Sequence, residues 1–130
     1  MWFRAPGRFF SPDMLTTLNR STDPMSANSP SVIHWNPSDG PLSEATMRDR
    51  LQGLGYSVSR YTYSPGTTFP EHSHPIDKID VVIEGFFRMT VDGMDVLLTP
   101  GDAIALPRGT PHSAEVVGDT PVVSLDASRG

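Results

Sequence analysis

From Tyr56 to Leu125 the chain is a train of short segments in which apolar and polar residues alternate, each closed by glycine, proline or aspartate. Alternation with a period of two marks a half-buried strand, because successive side chains point to opposite faces. The segments run Tyr56 to Tyr63, Lys78 to Glu84, Phe86 to Val91, Met94 to Thr99, Ala103 to Leu106, His112 to Val117 and Val122 to Leu125. Pro65-Gly66, Asp92-Gly93, Pro100-Gly101, Pro107-Arg108-Gly109 and Gly118-Asp119 fall between them, and Asp92-Gly93 is a strong hairpin signal. There is no βαβ rhythm and no internal repeat. The pattern predicts an antiparallel sandwich or barrel.

One helix is signalled before the strands. Ser43 is placed to cap it, Glu44 sits in its first turn, Met47 and Leu51 lie four apart, and Gly53 stops it. Val32 to Trp35 is a short apolar piece, and Asn36 to Pro41 is a turn cluster. Residues 1–31 mix Ser, Pro, Asn, Asp and Thr without a period, which predicts a loose N-terminal arm, either flexible or docked on a partner through Trp2, Phe3, Phe9 and Phe10. The expected domain is then 32–130.

Composition narrows the function classes. A chain of 130 residues at 14.2 kDa suits one domain with a real core. A net charge of −5 argues against nucleic acid, since phosphate binding needs a basic face. No apolar run is long enough to span a bilayer, and the first residues make a poor secretion signal, so the expected location is the cytoplasm. Cysteine is absent, so any metal must be held by nitrogen and oxygen.

Such ligands are concentrated between Pro65 and Gly85. His72-Ser73-His74 places two imidazoles one residue apart, and on an extended strand both look to the same face. Neutral imidazole is among the commonest ligands of first-row metals, so the pair makes half a site. His112 offers a third ring, while His34 lies away from the pattern and reads as structural or surface.

Read together, the two halves resemble the cupin superfamily. Gly66, His72-x-His74 and Gly85 match its first motif; Gly101, Pro107-x-Gly109 and His112 match its second, with fifteen residues between Gly85 and Gly101. The resemblance covers Tyr56 to about Ala127. It implies an all-β fold, a jelly-roll barrel with the short helix before it, whose mouth holds one divalent metal (Fe, Mn, Ni or Zn). His72, His74 and His112 match the family's histidine ligands. It also implies a small-molecule ligand or substrate and a homodimer paired through sheet edges or N-terminal strands.

Two positions depart from the family pattern. Val116 stands where asparagine often ends the second motif, and Lys78 stands where a glutamate ligand is usual. An ammonium aimed at a divalent cation costs Coulomb energy instead of supplying a ligand. Three accounts of Lys78 are open. The three histidines hold the metal alone, with Lys78 deprotonated or paired with Asp80; Asp77 moves into the missing carboxylate's place; or the metal is lost and Lys78 itself binds an anion or donates a proton. The bland account is a structural Lys78–Asp80 pair. Phe87, Met89 and Val91 read as barrel packing, Glu71 and Glu115 as solvated, and Arg108 as surface.

The function expected is small-molecule chemistry at a mononuclear three-histidine metal, of oxygenase (dioxygenase), isomerase or lyase type, with Lys78 and Asp80 as candidate catalytic groups. The alternative is a non-catalytic ligand-binding or sensor barrel, metal-free in one form, with Lys78 as the anion-binding group. Fold alone does not choose between them.

Overall fold

A computed structural model describes residues 31–130. The segment expected as an N-terminal arm lies, but for Ser31, outside the described residues. Strand β1 (Val32–Ile33), a 3-10 turn (Pro37–Asp39) and helix α1 (Glu44–Gly53) precede the main strands: β2 (Ser57–Tyr63), β3 (Thr68–His72), β4 (Asp77–Glu84), β5 (Phe86–Val91), β6 (Met94–Leu98), β7 (Ala103–Leu106), β8 (His112–Val117) and β9 (Val122–Arg129). They form two antiparallel sheets, one ordered β1-β7-β4-β9-β2 and the other β3-β8-β5-β6. No helix among the described residues is long and apolar enough to cross a membrane.

The helix forms where its caps and apolar spacing place it. Ser43 is extended, and its hydroxyl accepts from the Thr46 N–H at 3.3 Å, satisfying one of the free donors of the first turn. Met47 and Leu51, one turn apart, are both fully buried. They pack with Ile79, Val81, Leu125 and Ala127 on the outer face of the five-stranded sheet. Burial of each large apolar side chain is worth about 1.5–3 kcal/mol, so tertiary packing, not propensity, holds this short helix.

The same sheet is covered on its other face by the four-stranded one. Val82, Ile104, Leu106 and Val122 meet Phe87, Met89, Leu98 and Val116 there. Each central strand therefore alternates between two buried environments. On β4, Ile79 and Val81 face the helix side while Val82 faces the barrel interior. Lys78 and Asp80 share the interior parity of Val82. On β9, Leu125 and Ala127 face the helix side, and Val122, Ser124 and Asp126 share the other.

Three details differ from the expectation. β3 was hidden in the histidine stretch: among the described residues it is an edge strand, and an edge strand tolerates its Pro70. β9 continues past Leu125 to Arg129 because it pairs with β2 on one side and β4 on the other. The strand ends at His72, so His74 belongs to the following loop and not to an extended pair. The hairpin between β5 and β6 does turn at Asp92-Gly93, with φ of 50° and 83° as a type I′ turn requires.

Gly85 closes the tight link from β4 to β5, which belong to different sheets. Its φ is +84°, and a Cβ there would lie 2.4 Å from the Pro121 carbonyl oxygen. Gly93 has φ of +83° with nothing within 4 Å of such a Cβ. Left-handed backbone at a non-glycine residue costs on the order of 1–3 kcal/mol. Gly85→Ala should therefore lower the urea midpoint clearly more than Gly93→Ala does. Equal midpoints would show that the Pro121 backbone moves aside freely.

Candidate metal centre

The three histidines come together at one end of the barrel. His72 ends β3 and His112 opens β8, and the two are register partners across these strands. A bulge between Phe69 and His72 sets that register. His74 is carried by the next loop, which the Gly109 N–H pins by donating to the His74 carbonyl at 2.8 Å. The ring centroids lie 4.8 Å (His72–His74), 4.3 Å (His72–His112) and 5.2 Å (His74–His112) apart. One ligand nitrogen from each falls within 4.8 Å of the others.

Local hydrogen bonds fix which nitrogen two of the rings offer. His72 Nδ1 lies 2.7 Å from the Pro70 carbonyl, and His112 Nδ1 lies 2.9 Å from the Thr110 carbonyl. A carbonyl only accepts, so each Nδ1 must carry the hydrogen, which leaves the Nε2 lone pair for a ligand. His112 is buried; burial lowers its proton affinity, against a raising contribution from the Thr110 carbonyl, and His72 and Lys78 lower it further. His74 is lowered by burial, then by Lys78 and the other two rings. Neutral imidazoles with oriented lone pairs are the donor set a divalent first-row metal takes. The residues fit the ion.

The pocket beside them has a volume of about 120 Å³. Tyr63, Phe69 and Phe87 make its aromatic wall, with centroids 4.9 to 6.1 Å apart. Lys78, Asp80, Ser124 and Asp126 make its polar wall. Burial, then the Asp80 and Asp126 carboxyls, pushes the Tyr63 phenol up to about 12.

Lys78 is not paired with Asp80 as its own strand suggested. Its Nζ lies 2.6 and 2.8 Å from the two carboxylate oxygens of Asp126, on the neighbouring strand. Cross-strand diagonal partners are within reach of a long side chain, and the β4–β9 register supplies one. Asp77 does not join the histidines either. Its Oδ1 accepts from the Arg108 N–H at 3.0 Å and Nε at 3.4 Å, which holds its carboxyl below the usual range despite partial burial. Parity explains this, because Asp77 points to the same side as Ile79 and Val81, away from Lys78 and Asp80. Arg108 is largely exposed. His34 bonds Asp102, away from the cluster. Glu71 is exposed, whereas Glu115 bonds Arg88 at 2.7 Å. Asp126 and Ser124 line the pocket without having been expected there: Asp126 lies beyond the segment expected to end at Leu125, and Ser124 carried no signal of its own within that segment.

The family model described as Cupin domain matches residues 59–128. Germin-like protein subfamily 2 member 1 of Arabidopsis thaliana is 35% identical over 83 residues, covering 59% of this chain and 38% of that protein. The HTH-type transcriptional regulator PuuR of Escherichia coli is 42% identical over 53 residues, covering 40% of this chain and 29% of the regulator. Among solved structures, KdgF from Halomonas sp. is 27% identical, with a TM-score of 0.52 over 56% of this chain and 68% of that one. The chain spans less than half the length of the curated relatives named here.

The Tyr63 phenol gives a test of the polar wall. Its folded pKa stands above its ordinary value of 10.0, so the unfolded chain ionises first as pH rises. Its contribution is intact below about 10 and is lost as pH climbs toward about 12. Urea unfolding across that window should show a steeper loss for the native protein than for Tyr63→Phe. Parallel slopes would place Tyr63 in a more solvated setting.

Proposed function

The chain belongs to the cupin domain family, and we propose that it binds one divalent metal through His72, His74 and His112 and acts on a small molecule in the adjoining pocket. The single observation that carries this reading is the hydrogen-bonding of the rings. Pinning of His72 and His112 by backbone carbonyls is what a ligand needs and a packing residue does not. When bound, such an ion supplies a Lewis acid or a redox centre, according to its identity.

The chain's own groups supply the rest. The aromatic wall keeps part of the ligand away from water, which strengthens electrostatics inside the pocket. Lys78, bound to Asp126, is the fixed positive group on the polar wall and suits a ligand with an anionic or electron-rich end. A pocket of about 120 Å³ suits a compact ligand. The reaction classes that match are oxygenase, isomerase and lyase chemistry on a compact polar molecule.

A second reading is favoured by the similarity to the PuuR regulator, over 53 residues. Here the same pocket binds a small ligand without turning it over. The two readings separate on whether a bound small molecule leaves the protein changed or unchanged.

Elemental analysis of protein purified without chelator or nickel resin tests the centre. About one equivalent of Fe, Mn, Ni or Zn is expected, and His72→Ala or His112→Ala should lose it. Absence of metal after reconstitution with all four would overturn the reading. Lys78→Glu should raise metal affinity by adding a carboxylate where the family usually has one; a fall would place Lys78 away from the ion.

A further inference from the structure

Inside the barrel, two carboxyls stand near one ammonium, which pairs with only one of them. Asp80 and Asp126 are direct register partners on β4 and β9, so their side chains stand side by side on the same face of the sheet. Two carboxylates held side by side in a partly desolvated wall disfavour double ionisation, so one of them keeps its proton. Lys78 Nζ lies within 2.8 Å of both oxygens of Asp126, which marks Asp126 as the ionised member. Asp80 is left as the acid. All three side chains line the pocket that the histidines share.

We propose that Asp80 is a protonated carboxylic acid that donates its proton to a small molecule bound in the pocket, making it the Brønsted acid beside the three-histidine centre. This rests on the reading of the pocket as a small-molecule site. The groups that face Asp80 from each packed element agree with it. From β9 the Asp126 carboxylate raises its proton affinity and from its own strand Lys78 lowers it, with burial the largest contribution. From β2 the Tyr63 phenol faces it, and His74 and His112 lie across the pocket. The balance pushes Asp80 up to about 8. Its proton is therefore present below that pH and lost above it.

The step balances simply. The proton passes from the Asp80 carboxyl to a basic oxygen or carbon of the ligand. The second carboxylate this creates shares Lys78 with Asp126 until water returns the proton. The ligand class is a small molecule that gains a proton in the reaction, such as an enolate, alkoxide or carbanion, which directs the chemistry toward isomerase or lyase type.

The probe is diazoacetamide, used on the metal-free protein at neutral pH. This reagent esterifies only protonated carboxyls: the carboxyl proton moves to the diazo carbon, the carboxylate oxygen bonds to that carbon, and dinitrogen leaves. Peptide mapping should find the ester on Asp80 ahead of the exposed Glu71 and Asp119. Labelling should persist to higher pH in Lys78→Met, which keeps the side-chain stem but removes the opposing charge. An unlabelled Asp80 under conditions where acid solution permits labelling of exposed carboxyls would overturn the proposal, and this arm needs no variant to fold. Metal uptake is scored separately. Labelled Asp80 in a protein that takes no metal would keep the acid and sink the centre, and metal uptake without labelling would do the reverse.

Discussion

The pairing of β4 with β9 is the constraint on which the rest depends. These are the inner strands of the five-stranded sheet, flanked by β7 and β2, with helix α1 on one face and the second sheet on the other. A strand buried on both faces is normally a continuous apolar run. Here the helix-facing positions keep that rule with Ile79, Val81, Leu125 and Ala127, while interior positions near one end break it with Lys78, Asp80, Ser124 and Asp126. Polar groups in the interior cost free energy unless they satisfy one another. The register that aligns Asp80 with Asp126 and brings Lys78 diagonally to Asp126 sets the one ammonium against the interior carboxylates. A slip by one residue would send the charges under the helix and leave apolar side chains at the pocket.

The pocket draws its histidines and its charged cluster from different sheets. The histidines sit on the four-stranded sheet and its loop, and the charged cluster sits on the five-stranded sheet. Each wall therefore depends on how the sheets close over the apolar layer of Phe87, Met89, Leu106 and Val116. The layer's close packing holds the distance between walls, because interiors of this kind do not deform gradually. Val116, where the family often has asparagine, is part of this layer, so its apolar character is a packing choice.

Most of the fold was legible in the chain because period-two alternation and turn residues are local signals. The Asp92-Gly93 hairpin, the Ser43 cap and the strands from Phe86 to Val91, Ala103 to Leu106 and His112 to Val117 are all placed by a few adjacent residues. The histidine cluster was legible through motif spacing, although His74 lies past the strand end. What was illegible depends on partners. β3 is a strand only because β8 lies beside it, and Asp126-Ala127-Ser128 extends β9 only because two neighbours hold it. Lys78 has an acidic residue two positions along its own strand, and a single strand offers no sign that a better carboxylate waits across the sheet. Asp77 follows the same lesson from the other side, since parity turns it toward Arg108.

The backbone carbonyls that hold His72 and His112 have one more consequence. With Nδ1 already carrying a hydrogen bonded to Pro70 or Thr110, a second proton can land only on Nε2. That is also the atom left for a metal. Acid and metal thus compete for one address on each of these rings, with no spare nitrogen to absorb the proton. A divalent ion held there, as proposed, would have to displace any proton already on Nε2.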